Sequence, residues 1–242
     1  MNVDFAIRTK GLTKSFVSKG RVITAVEIVN LAVGYGEIFG LMGPNGAGKT
    51  TLLKMLTTLL LPTSGEAYVA GHSIQEETKV KRSIGVVSSE ERSFYWRLTG
   101  RENLRFFASL HNLSSPEAAE RIQKISSEMA IEDYIDRRFD SYSTGMKQKL
   151  SIARSLIGDP RILFVDEPTR GLDPIAASQM RGIFKELSDK GITIFIITHS
   201  PEEAEEICGR VAIMDRGRIK AEVKPWDIDL KEFIFETVEA GH

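Results

Sequence analysis

The sequence predicts an α/β fold, a buried sheet with helices on its faces and an all-helical block inserted into it. Three observations carry this. Short apolar runs recur along the 242 residues, helical patterns separate several of them, and two runs, RILFV (161–165) and ITIFIIT (192–198), are continuously apolar but for Arg161 and two threonines. Alternation of strand-like and helical patterns argues a sheet packed between helices. Strands with no polar side are those buried on both faces.

Taken in order, the strand-like runs are IVNLAV (28–33), EIFGLM (37–42), EAYVA (66–70), IGVV (84–87), RILFV, ITIFIIT and RVAIM (210–214). A helical pattern, TLLKMLTTLL, follows EIFGLM. Residues 99 to about 158 read as a block of helices. There, Thr99-Gly-Arg-Glu102 is a capping-box pattern ahead of NLRFFASL. Ser115 reads as an N-cap with Pro116 at the first helical position, followed by Glu117. A further helix is expected to begin near Thr144 and run through MKQKLSIARSL. The segment DLKEFIFETVEA (229–240) is amphipathic, and its aromatics are expected to pack onto the body. The whole reads as a single domain over 1–242, with a helical subdomain over about 90–158 and a helical tail over about 225–242.

Composition narrows the class. A hydrophobic fraction of 42% and a charged fraction of 27% are ordinary for a globular chain able to bury a core without staples. A formal net charge of −1 supplies no basic field, so nucleic acid is not an expected partner. The single cysteine, Cys208, excludes an internal disulfide and reads as a small core residue in a reducing compartment. The N-terminus MNVDFAIRTKG lacks the apolar run of a secretory signal. The longest apolar stretch, LLKMLTTLLL (52–61), contains Lys54, Thr57 and Thr58, and is well short of the roughly 20 residues that cross a bilayer. The expectation is a chain soluble on its own that reaches a membrane only through a partner.

GPNGAGKT, Gly43 to Thr50, fits G-x-x-x-x-G-K-[ST], with a strand before it and a helix after it. Gly43, Gly46 and Gly48 let the backbone curl so that N–H groups converge on phosphate oxygens, and the following helix adds its positive end. Lys49 is placed to reach β- and γ-phosphates, and Thr50 to offer a hydroxyl to Mg2+. The loop by itself implies a nucleoside triphosphate and no particular reaction.

The second strong segment is YSTGMKQKLSIARSLIGDPRILFVDEPTRGLDP (142–174). Its apolar strand ends in Asp166 and Glu167, at the carboxyl edge where open α/β sheets bind ligands. Asp166 suits Mg2+, directly or through water, and Glu167 is placed to polarise an attacking water. His199 ends another buried strand, where it can hydrogen-bond a γ-phosphate and that water.

With these segments in hand the sequence resembles the nucleotide-binding domain of ATP-binding cassette (ABC) transporters. GPNGAGKTT, which brings in Pro44, Asn45, Ala47 and Thr51, is similar to the Walker A motif of that family. STGMK (143–147) stands at its signature, ILFVDEP at Walker B with the catalytic glutamate, GLDP (171–174) at the D-loop, and His199 at the switch histidine. Phe16, in LTKSF, matches the aromatic that stacks on adenine. The resemblance runs from about residue 7 to 223. It implies a P-loop NTPase (RecA-like) core, an antiparallel β subdomain and the inserted helical subdomain. It also implies two such domains, a homodimer or a heterodimer, sandwiching two ATP molecules head to tail. Ser143 and Gly145 then bind the γ-phosphate in trans and Asp173 contacts across the interface. Lys49, Glu167 and His199 carry the hydrolysis, with ATP and Mg2+ as cofactors and an integral membrane permease as partner. The location so implied is the cytoplasmic face of the membrane, held there by the permease.

STGMK departs from the commoner LSGGQ while keeping Ser143 and Gly145. This YSxGMxQ form, together with DEPTRGLDP, resembles exporter ATPases that pair with separately encoded permeases. The alternative is a soluble ABC ATPase acting without a permease, as an assembly or scaffold factor. A GTPase is excluded by the lack of an N-K-x-D motif, and a small-molecule kinase leaves STGMK unexplained. Glu167 argues against a binding module without turnover.

The larger departure is GVVSSEERSFYWRLTGREN (85–103). Family members place a Mg2+-binding glutamine after the strand that IGVV represents. Here alignment puts Ser89 at that position, so Ser89 or Glu90 offers the oxygen, or the loop serves only as a hinge. Phe94, Tyr95 and Trp96 lie where the family receives its permease. Three adjacent aromatics cannot all face one core, so at least one is expected at the surface.

Overall fold

The computed structural model describes residues 5–18, 20–88 and 94–239. The strands, in chain order, are β1 (Ile7–Ser18), β2 (Arg21–Val29), β3 (Ala32–Val33), β4 (Ile38–Met42), β5 (Ser64–Val69), β6 (His72–Ser73), β7 (Ile84–Ser88), β8 (Ile162–Asp166), β9 (Thr193–Ile197), β10 (Arg210–Asp215) and β11 (Arg218–Val223). The helices are α1 (Lys49–Leu56), α2 (Glu77–Ser83), α3 (Gly100–Leu110), α4 (Ser115–Glu128), α5 (Thr144–Leu156), α6 (Pro174–Asp189), α7 (Pro201–Ile207) and α8 (Leu230–Glu239).

The strands form two sheets. One has the order β11-β10-β4-β9-β8-β7, parallel from β10 to β7 with β11 antiparallel at its edge. The other is antiparallel, β2-β1-β5-β6, with β3 also on β1. This is the P-loop NTPase arrangement that the sequence implied, a mostly parallel core sheet beside an antiparallel one.

Side-chain alternation along the parallel strands divides the core in two. Phe39, Leu41, Ile162, Phe164, Phe195 and Ile197 pack towards α1 and the antiparallel sheet. Their neighbours Ile38, Leu163, Val165, Ile194 and Ile196 pack towards the helices on the other face. Phe39, Phe195 and Phe164 lie in register on three adjacent strands, with ring centroids 5.6 Å apart at each step. Such ring pairs add about 0.5–1.5 kcal/mol each beyond the area they bury.

Three expectations change. The single run 28–33 is two strands, because Ile28 turns left-handed at φ 50° and the chain leaves its pairing with Leu12 after Val29. The cap of α4 is Ser114, one residue earlier than expected. Counting from Ser114 puts Glu117 at the third helical position, where it accepts the N–H of Ser114 at 2.8 Å. In the tail, Phe233 packs on the core but Phe235 is exposed. The box of Thr99 and Glu102 forms as expected, with bonds of 3.1 and 2.7 Å. No helix among the described residues is long and apolar enough to cross a membrane.

Candidate functional site

Parallel pairing gathers the site. β4, β9 and β8 are neighbours running the same way. The segments leaving their carboxyl ends therefore lie side by side: Gly43–Gly48 from β4, Thr198–Ser200 from β9 and Glu167–Asp173 from β8.

The phosphate loop fits only glycine at two of its turns. Gly43 has φ 145°, and a Cβ there would lie 1.9 Å from the Met214 carbonyl oxygen. Gly48, the N-cap of α1, has φ 105°, and its Cβ would lie 2.1 Å from the Ala25 carbonyl oxygen. The loop is thus wedged between the end of β10 and the middle of β2. Ala47 is buried. Its N–H donates to Pro44 at 3.2 Å, and its carbonyl accepts from Gly217 at 2.9 Å. Asn45, Gly46 and Thr50 are exposed on the open side. Lys49 folds back over the loop, its ammonium donating to the Gly43 and Pro44 carbonyls at 2.7 and 2.9 Å. Burial holds the lysine pKa below its ordinary value, and the charges of Glu167 and Asp166 oppose that. Phosphate oxygens can replace both carbonyls and supply the charge the ammonium lacks.

Asp166 is the last residue of β8. Burial pushes its carboxyl pKa up and the adjacent Glu167 charge adds to that, while Lys49 and His199 pull it down. Glu167 adopts φ 48°, a left-handed turn uncommon for a side chain that is not glycine. Its N–H donates to Ile197 at 2.9 Å, tying it to the end of β9. The turn presents its two carboxylate oxygens differently: Oε1 lies 3.0 Å from His199 Nε2, and Oε2 accepts from Arg170 at 3.2 Å. A cavity of about 200 Å3 is lined by Ala25, the loop from Asn45 to Thr51, Glu167, Ile197 and His199.

Not every expected residue meets there. Ser143 caps α5, accepting the Met146 N–H at 3.3 Å. Asp173 caps α6, accepting from Ile175 and Ala176 at 3.0 Å. A methyl group at Gly145 would sit 3.7 Å from Ala176 Cβ, so the starts of these two helices are neighbours. Neither Ser143 nor Gly145 lines the cavity of Lys49 and Glu167. Phe16, on β1 opposite Ile23, is 40% exposed with the Lys14 ammonium 5.3 Å from its ring. Ser89 and Glu90, the residues expected to replace the glutamine, lie outside the described residues.

The aromatic trio divides. Phe94 is buried and stacks on Phe139 at 4.7 Å, which takes it out of the surface set expected to meet a permease. Tyr95 and Trp96 remain about half exposed. Two site residues were not anticipated from the sequence. Arg170 is three residues after Glu167, a spacing that gains meaning only once the turn is known. Ala25 contributes a backbone carbonyl, which carries no sequence signal.

The family model described as ABC transporter matches residues 26–170. The chain is 38% identical over 208 residues to the ABC transporter ATP-binding protein NatA of Bacillus subtilis (strain 168), covering 86% of this chain and 85% of NatA. It is 41% identical over 225 residues to a fluoroquinolones export ATP-binding protein of Mycobacterium tuberculosis, covering 93% of this chain and 72% of that one. Some relatives are much longer: the chain spans 38% of the probable multidrug ABC transporter ATP-binding protein YbhF of Escherichia coli (strain K12). Among solved structures, the dimeric post-hydrolysis state of the ATP-binding cassette MJ0796 bound to ADP and Pi matches with a TM-score of 0.81. It is 28% identical, covering 90% of this chain and 98% of that one.

Proposed function

The chain belongs to the ABC transporter family as an ATP-binding, ATP-hydrolysing subunit, and from that premise we propose that it powers export through a separate membrane permease by ATP-driven, head-to-tail dimerisation. The observation that carries the chemical part is the 3.0 Å contact between Glu167 and His199 at the mouth of the phosphate-loop cavity. It joins a base to the group that orients it, and both line the cavity formed by the phosphate loop.

In this reading Lys49 exchanges its two loop carbonyls for β- and γ-phosphate oxygens. The N–H groups of Gly46 to Thr51 and the positive end of α1 complete the cradle. Glu167 accepts a proton from the attacking water, whose oxygen bonds to the γ-phosphorus as the bond to ADP breaks. His199 holds Glu167 and the departing phosphate in place. Ser143 and Gly145 of a second copy close the site over the γ-phosphate, with α5 directing its dipole there. Asp173 contacts across the same interface, and Phe16 stacks on adenine.

Thr50 and Asp166 would hold Mg2+. Among the described residues no cluster of three or more His, Cys, Asp and Glu side chains is arranged to hold a metal. A carboxylate and a hydroxyl are both oxygen donors of the kind that Mg2+ takes beside phosphate oxygens. When bound, Mg2+ neutralises charge on the phosphates.

Export is supported by the STGMK signature and by the export relative. A permease is supported by the family and by the half-exposed Tyr95 and Trp96, which offer anchors beside the helical block. In this reading the permease holds the chain at the cytoplasmic face of the membrane. An affinity-tagged chain, expressed at native level, tests this. It is expected to be retrieved from solubilised membranes together with an integral membrane subunit; a wholly cytosolic chain under the same conditions contradicts the permease.

A further inference from the structure

A carboxylate with no part in the chemistry above lies behind it. Glu203 is 1% exposed, and neither of its carboxylate oxygens closes a hydrogen bond. Burying an unpaired carboxylate is costly, and the cost calls for a compensating role.

Helix capping does not explain it. Ser200-Pro201-Glu202-Glu203 has capping-box spacing, in which the glutamate reaches back to the N–H of Ser200. That N–H instead donates to Thr198 Oγ1 at 3.0 Å. Ser200 Oγ accepts the Glu203 N–H at 3.1 Å, and its hydroxyl turns to Glu202 at 2.9 Å. The Glu203 side chain is left to point inward.

There it meets the hydroxyls of Thr198 and Thr169. Thr198 precedes His199, and Thr169 is two residues beyond Glu167. Both threonines also line a second cavity, of about 640 Å3, which Glu167 and His199 share with Arg170 and Ser200. Burial pushes the carboxyl pKa up. The two hydroxyls and Arg181 pull it down, and Glu206 adds to the rise.

We propose that Glu203 is a positioning residue for ATP hydrolysis, taking the Thr169 and Thr198 hydroxyls so that the loop bearing Glu167 and the loop bearing His199 stay in register. This deepens the proposed catalytic pair and rests on it. At the strand ends the two loops are tied by the bond from Glu167 N–H to Ile197. Further along, Arg170 and Leu172 donate within their own loop, to Glu167 and Thr169. Glu203 adds a bridge between the loops at that level. The two hydroxyls flank the buried carboxylate, and hydrogen bonds at a catalytic site commonly tighten when substrate is bound.

The test compares the full chain with Glu203→Ala, Glu203→Gln, the double variant Thr169→Val/Thr198→Val, and Glu167→Gln, by steady-state ATP hydrolysis and thermal melting. Glu203→Ala is expected to lower kcat about 10- to 100-fold with the KM for ATP within about twofold, the pattern of lost alignment. Glu203→Gln is expected to recover most of that loss, since its amide oxygen and NH2 can serve one threonine each. Adding Glu203→Ala to the double variant should lower kcat little further. Wild-type kcat in Glu203→Ala, or Glu203→Gln as impaired as Glu203→Ala, overturns the inference. If Glu203→Ala does not fold, the double variant carries the test, and wild-type kcat there overturns it. An inactive Glu167→Gln beside a fully active Glu203→Ala removes the positioning role alone. Full activity in Glu167→Gln removes the catalytic reading beneath it.

Discussion

At φ 48°, the backbone of Glu167 is held in a conformation that costs an ordinary residue about 1–2 kcal/mol. The turn aims one carboxylate oxygen at His199 and the other at Arg170. Cys208 shows the opposite fate for a titratable group. It is 3% exposed, and burial, with the charges of Glu203 and Glu37, pushes its thiol pKa well up. The native chain at about pH 8, near the ordinary thiol pKa, is therefore expected to leave it unreacted with a thiol–disulfide reagent. Denaturation should expose one thiol; native reactivity like that of free cysteine would show that Cys208 is accessible. The placement of Lys49, Thr50 and Glu167 about one cavity, with Asp166 at the end of β8, was legible in advance, because neighbours in sequence set it. Glu203 and Arg170 were not, because their partners come from how the turns after β8 and β9 fold together.

Elements were legible where burial or capping is written locally. β8 and β9, covered on both faces, stood out as continuous apolar runs. β1 and β11 did not, because they alternate between core and solvent and carry Lys, Arg and Glu on the open side. β6 is two residues long and exists through its pairing with β5. At α3 the reciprocal bonds of Thr99 and Glu102 start the helical block, and Asn103 then fastens Tyr95 through bonds at 2.8 and 3.1 Å. Thr99→Ala removes one of the two box bonds and is expected to cost about 1 kcal/mol in denaturant unfolding. An unchanged midpoint would mean that packing of α3 against its neighbours makes the cap redundant.

Across the whole molecule, a parallel sheet brings three loops to one edge, while the signature helix α5 starts at a separate site capped by Ser143. One chain therefore holds Lys49, Glu167 and His199 in one place and Ser143 and Gly145 in another, the division of labour that a head-to-tail pair requires. In the proposed reading Tyr95 and Trp96, about half exposed beside the helical block, are the contact through which closure reaches a permease. The measurement that bears most directly on this account is the turnover and association state of Glu167→Gln with Mg2+ and ATP. The account predicts that the variant binds ATP, hydrolyses it roughly 10²-fold or more slowly than wild type, and sediments as a dimer with ATP but not with ADP. Wild-type turnover in Glu167→Gln, or a monomer that persists with ATP bound, would contradict it.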